Sequence, residues 1–215
     1  TVHTTVHTTG RAVIRILYRD QHLVALDKPA EVALLADRSG APCLWDGLPE
    51  LLGARPYLVH RLDKGTSGVL LVALDRQTQS VLTRAFTQRR VDKYYLAWVA
   101  GRLEAAGTQT IDLPLKPGRK SRYRVAGARD AIVRDRRGWR IEAVDPEGHP
   151  ILTRLRVLAH EGDRTLVLLA PVTGRTHQLR VHLAWIGHPI LGDSLYGKPG
   201  MPRQAASRLL LHCHK

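Results

Sequence analysis

Cysteine, aromatic residues and acidic side chains are all scarce in this chain. Only Cys43 and Cys213 occur, far apart and with no CxxC pair, so neither a disulfide framework nor a cysteine-based zinc site is supported. A reducing, cytoplasmic setting is expected. No stretch approaches the roughly 18 consecutive apolar residues that a membrane span requires. The opening TVHTTVHTTG lacks a basic segment followed by an apolar one, so it does not read as a secretory signal. Neither a strand-GxGxxG-helix unit nor a Walker loop is present, which argues against nucleotide-cofactor folds.

The acidic deficit has a positive counterpart. Lys and Arg number 33 against 19 Asp and Glu, a formal net charge of +14. Such an excess attracts polyanions and raises encounter rates with them, so nucleic acid is the first partner to consider. The excess is uneven: Leu115 to Arg140 holds ten basic residues and only two acidic ones, Asp130 and Asp135. That clustering favours a surface for phosphates, with Lys116, Arg119, Lys120 and Arg122 as candidate contacts; the competing reading is a solvated arginine-rich face.

Ile14 to Pro29 carries two apolar runs around the polar Arg19-Asp20-Gln21-His22, the pattern of a strand, tight turn and second strand. Val69 to Leu74 is a continuous branched apolar run, as in a strand buried on both faces. Asp75 is placed as the N-cap of a helix that puts Val81, Leu82, Ala85 and Phe86 on one side. Further strands are expected at Tyr94 to Ala100 and Leu166 to Ala170, and a helix near His177 to Ile186 with Gly187 at its end. The basic middle reads as strands and long loops, and residues 1–13 as a flexible tail ahead of a single domain, 14–215. Strands separated by few helices point to an α+β fold with a mixed sheet.

The run His60-Arg61-Leu62-Asp63-Lys64-Gly65-Thr66-Ser67-Gly68 directly precedes a buried strand, which would hold its polar side chains rigidly. By itself Asp63 between two basic residues could equally be a turn residue or half of a salt bridge. The run matches, at every fixed position, the HRLDxxTSG motif of the RluA family of pseudouridine synthases. ILYRDQHLVALDKP resembles that family's opening hairpin, KYYLAWVAG its KxYxAxVxG strand, and PVTGRTHQLRVHLAWIGHPILGDSLYG its third motif. The resemblance runs from about Ile14 to Cys213. It implies a mixed, mainly antiparallel central sheet with flanking helices and an RNA-binding cleft. It also implies isomerisation of a uridine in structured tRNA or ribosomal RNA, with no cofactor and no metal.

By motif position the resemblance makes Asp63 the catalytic carboxylate, a role that needs an ionised group near ribose C1′. Desolvation would raise the carboxylate's pKa, and a neighbouring cation opposes that. The motif places that cation at Arg180, expected to pair with Asp63. Tyr95 falls at the position that lies against the target base, sharing a strand face with Lys93. The target must leave the stack, at about a few kcal/mol, and Arg61 falls at the position implicated in filling the gap. His60, Thr66, Arg175 and His177 complete the expected RNA-contacting set. His177 and His182 lie five apart, too far rotated around a helix to share a zinc ion.

Two departures from the family pattern stand out. Glu31 follows Lys28-Pro29-Ala30 where relatives commonly have glycine. Relatives also continue beyond RLLLHC with further strands, so the chain reads as shortened at that edge, and about thirteen residues before Ile14 would leave no room for an N-terminal RNA-binding module. A monomer is expected. The alternative is a non-catalytic RNA-binding or RNA-folding relative of the same fold.

Overall fold

The structure is a computed structural model that describes residues 5–9, 12–36, 40–119, 122–197 and 206–215. The chain divides into two compact units, one of Thr1–Asp92 with His212–Lys215 and one of Lys93–Leu211.

The first unit begins with β1 (Thr5–Thr9) paired antiparallel with β2 (Ala12–Arg19), so the stretch expected to be a tail supplies strand. The Asp20 carboxylate accepts the backbone N–H groups of His22 and Leu23 at 2.7 and 2.8 Å, an Asx turn that reverses the chain into β3 (Leu23–Lys28). The expected hairpin is therefore present. After α1 (Leu44–Leu52), whose Leu44, Leu48 and Leu52 repeat every fourth residue and are buried, Gly53 ends the helix in the left-handed conformation. The short β4 (Tyr57–Leu58) and β3 both pair antiparallel with β5 (Ser67–Ala73). The core of the unit is a cluster of Ile, Leu and Val from β2, β3, α1 and β5.

Asp75 caps α2 (Arg76–Thr87) as expected, accepting from the Thr78 N–H at 2.7 Å. The apolar side of this helix is narrower than the sequence pattern indicated: Leu82, Ala85 and Phe86 are half-buried, but Val81 is 60% exposed. Gln79 lies on the same inward side as Leu82 and Phe86, and its amide donates to the Leu58 carbonyl at 2.9 Å.

In the second unit β6 (Tyr95–Ala100) is followed by β7 (Thr108–Asp112), the hairpin β8 (Leu115–Pro117) and β9 (Tyr123–Val125), then β10 (Ile132–Asp135) and β11 (Gly138–Ile141). Two longer strands follow, β12 (Leu152–Glu161) and β13 (Arg164–Pro171). The sheet runs β6-β13-β12-β7-β11-β10, antiparallel except between β7 and β11. Helix α3 (Gln178–Trp185) lies within the range expected for it, and Gly187 bonds back to the Ala184 carbonyl at 3.3 Å. Its Leu179, Val181 and Leu183 join a core with Ile111, Leu155, Val167 and Leu169.

The last strand, β14 (Leu211–Cys213), lies parallel to β5 with His212 opposite Ser67 and Cys213 opposite Gly68. His212 and Cys213 thus end a strand. Gly68 has φ +115, and a Cβ there would overlap the Cys213 backbone, so only glycine lets the two strands approach. The fold is α+β, with mixed, mainly antiparallel pairing and few helices, as expected. Among the described residues no helix is long and apolar enough to cross a membrane.

Candidate active site

Asp63 lies in the loop between β4 and β5 and is half-buried, and the Thr66 N–H donates to its backbone carbonyl at 3.0 Å, closing a tight turn. Beneath that turn sits Lys28, at the end of β3 and fully buried. Its ammonium donates to the carbonyls of Pro29, Lys64 and Thr66 at 2.8, 3.1 and 2.9 Å. One side chain therefore ties the Lys28-Pro29 segment to the Asp63 loop. Burial pulls the Lys28 pKa down from 10.5 to about 8, and the negative charges of Glu31 and Asp63 oppose the fall. Glu31 itself holds φ +63, a left-handed conformation that suits glycine.

His60 and Thr66, expected among the RNA contacts, make contacts within the unit. The His60 Nε2 accepts the Leu71 N–H at 2.9 Å, and the ring stacks on Phe86 of α2 with centroids 4.6 Å apart. Thr66 is 3% exposed, and its carbonyl serves Lys28. A hydrogen bond of 3.0 Å joins Ser67 Oγ to His212 Nδ1 across β5 and β14. Arg61, by contrast, is exposed.

In the second unit Tyr95 opens β6, half-buried against the core. Arg180, on α3, is 7% exposed. Within its unit it is held by Asp193, a residue the sequence reading passed over: Nε and Nη2 make a two-pronged contact with the carboxylate at 2.8 and 2.7 Å. Burial alone would raise the Asp193 pKa. The Arg180 hydrogen bonds and charge, with the N–H groups of Leu195 and Tyr196, hold it below the usual carboxylate value. The guanidinium also lies 5.2 Å from the centroid of the Tyr196 ring. The signal that could have exposed Asp193 is physical: an arginine on the inward face of a helix demands a carboxylate.

His177 begins α3 in a left-handed conformation, φ +57, with Nδ1 2.8 Å from the Tyr196 hydroxyl, which also accepts the Tyr123 N–H at 2.9 Å. It thus links α3 to the base of the β8–β9 hairpin. Gln178, also missed from sequence, is a hub: its amide oxygen accepts from Thr173 Oγ1 and the Arg175 N–H, while its amide nitrogen donates to the Leu152 carbonyl and Thr153 Oγ1. The Arg175 side chain is exposed.

The basic segment is not uniform. Lys116, expected as an RNA contact, is paired with Asp145 at 2.8 Å and Glu147 at 3.5 Å, and its side chain is only 15% exposed. Arg124 and Arg140 also face carboxylates, and Arg129 lies over the Trp185 ring. Arg119 and Arg122, at the β8–β9 turn, are exposed; Lys120 lies outside the described residues.

Comparison with known proteins matches residues 22–185 to the RNA pseudouridylate synthase family model. The ribosomal large subunit pseudouridine synthase C of Vibrio cholerae is 36% identical over 206 residues, covering 92% of this chain and 58% of that protein. An uncharacterized RNA pseudouridine synthase of Zymomonas mobilis is 38% identical over 93% of this chain and 85% of its own length. Human RNA pseudouridylate synthase domain containing 1 superposes with a TM-score of 0.73 at 32% identity, covering 92% of this chain and 75% of that one. The fold is that of a pseudouridine synthase. The chain belongs to the RNA pseudouridylate synthase family, in the RluA-type branch that its four motifs indicate. It spans a little over half the length of the Vibrio relative.

Proposed function

We propose that the protein isomerises a uridine within structured RNA to pseudouridine, with Asp63 as the catalytic carboxylate. In that reaction the bond from uracil N1 to ribose C1′ breaks and a bond from C5 to C1′ forms. The hydrogen on C5 is lost and N1 gains one, so substrate and product are isomers and nothing else is consumed. The observation that carries the reading is the Asp63 loop: a carboxylate at the family's motif position, on a turn closed by Thr66 and clamped from below by Lys28. A group held so firmly is positioned rather than merely exposed.

Arg180 supplies the cation that keeps the carboxylate ionised during turnover, Tyr95 lies against the base, and Arg61 fills the gap left by the flipped nucleotide. Arg175, His177, Arg119 and Arg122 contact the RNA, the exposed arginines through backbone phosphates that position without specifying sequence. The names of relatives, ribosomal large subunit pseudouridine synthases, favour ribosomal RNA over tRNA. A protein of this kind works in the cytoplasm as a monomer.

The test incubates the protein and its Asp63→Asn form with RNA from a host lacking the enzyme and maps new pseudouridines by chemical labelling and sequencing. Sites made only by the unmodified protein are expected, with RNA binding kept in both. Tight binding without any product would instead favour a non-catalytic RNA-binding relative. Arg180→Lys should lower the single-turnover rate more than RNA affinity.

A further inference from the structure

Helix α2 carries a surface that the reaction does not explain. None of its residues is buried, and between Arg76 and Val91 there are four arginines, Arg76, Arg84, Arg89 and Arg90, and no acidic residue. All four are exposed, and among the described residues none has a carboxylate or side-chain hydrogen-bond partner. Several surface arginines elsewhere are matched, as in Arg15 with Asp27, Arg102 with Glu104 and Arg164 with Glu161. A helix face built only to be solvated interleaves opposite charges four residues apart. This one does not.

Helix stability does not account for the pattern either. Arg84 in the last turn favours the helix dipole, but Arg76 in the first turn opposes it, and the one carboxylate at that end, Asp75, is engaged as the N-cap with Thr78. Arg89 and Arg90 lie beyond the helix, Arg89 with φ +56. Between the arginines a shallow depression is lined by Ser80, Thr83, Thr87 and Gln88, of which Ser80, Thr83 and Gln88 can donate to phosphate oxygens. The rise of 1.5 Å per residue sets Arg76 and Arg84 about 12 Å apart along the axis, the reach of roughly three to four nucleotides. Phe86 of the same helix stacks on His60, the first residue of the Asp63 motif, so a load on α2 is felt at the loop that carries the carboxylate.

We propose that the outward face of α2, through Arg76, Arg84, Arg89 and Arg90, docks the sugar-phosphate backbone of the RNA substrate, an inference that rests on the RNA-isomerase reading above. The occupant is a polyanion because the face has donors and positive charge but no acceptor carboxylate and, Val81 apart, no exposed large apolar side chain. It is a positioning surface in the same unit as Asp63, distinct from the arginines of the β8–β9 turn.

The test compares the unmodified protein with R84Q/R89Q/R90Q, using transcripts of large-subunit ribosomal RNA as the probe. Loss of three phosphate contacts should reduce the slope of log affinity against log salt by about 2, and raise KM about tenfold, while the single-turnover rate at saturating RNA is kept. Circular dichroism should be unchanged, since no substituted side chain is buried, and R84E/R89E/R90E should weaken binding further. A folded variant with the original salt slope and KM overturns the proposal. The two readings separate cleanly: if the unmodified protein binds RNA but makes no pseudouridine, the enzymatic reading fails, while the salt slope still decides the surface.

Discussion

Lys28 and Arg180 are both cations taken almost wholly out of water, one in each unit, and they are compensated differently. Lys28 is surrounded by three neutral carbonyl oxygens, whereas Arg180 meets a full carboxylate in a two-pronged contact. Dipoles alone do not offset the loss of hydration, so the lysine pKa drops to about 8. Paired charges do offset it, and Asp193 stays below its ordinary pKa despite burial. The first arrangement fixes a backbone and leaves a proton loosely held; the second fixes a side chain and holds its charge firmly.

That contrast can be broken most forcefully at Asp193. Asp193→Asn leaves a buried guanidinium without its counter-charge and should cost about 3–5 kcal/mol in chemical denaturation; a loss under about 1 kcal/mol would mean that Asp193 does not carry Arg180. Lys28→Met is expected to cost less, about 1–3 kcal/mol, because the stranded carbonyls are partly offset by removal of a desolvated charge. Its larger effect should be on the single-turnover rate, since the Asp63 loop loses its clamp.

The pH dependence sharpens the same comparison. Because the folded Lys28 pKa of about 8 lies below the ordinary 10.5, the unfolded chain binds more protons between those values, and this group's contribution to stability rises with pH across that window. Activity should move the other way, falling above pH 8 as the clamp loses a donor and its charge, and Lys28→Met should flatten that limb. Asp193 has the opposite sign: its stabilisation is full at neutral pH and is lost as pH falls from 3.8 through the lower folded value. Glu31→Gly is a smaller change, relieving about 1 kcal/mol of left-handed strain, read as a raised melting temperature. The smallest effect, within about 0.5 kcal/mol, is expected for Val81→Thr, whose side chain touches little.

Much of the fold was legible because its signals are local. The β2–β3 hairpin follows from two apolar runs and an aspartate that caps its own turn, and α2 from Asp75 as N-cap. β12 was not anticipated: Leu152 to Glu161 mixes arginines with apolar residues, and a register shift between Val157 and Ala159 breaks its alternation. Only its pairing with β13 and β7 makes it a strand. β1 was missed for the same reason, since TVHTT becomes a strand through β2. Asp63, Tyr95 and Arg180 were legible as motif positions, while Lys28, Asp193 and Gln178 were not, because each has a side-chain hydrogen-bond partner 13 to 38 residues away in the chain.

Charge, motif order and local turn chemistry are properties of neighbouring residues, and by themselves they pointed to the family, to the class of reaction to test and to a polyanion as the partner to test. Which arginines are free and which are spent could not be read that way. Lys116 and Arg119 are three residues apart in one basic run, yet one is locked to Asp145 and the other faces solvent. An ion pair is decided by distance in space and by how much water remains around it, and both quantities exist only once the chain has folded.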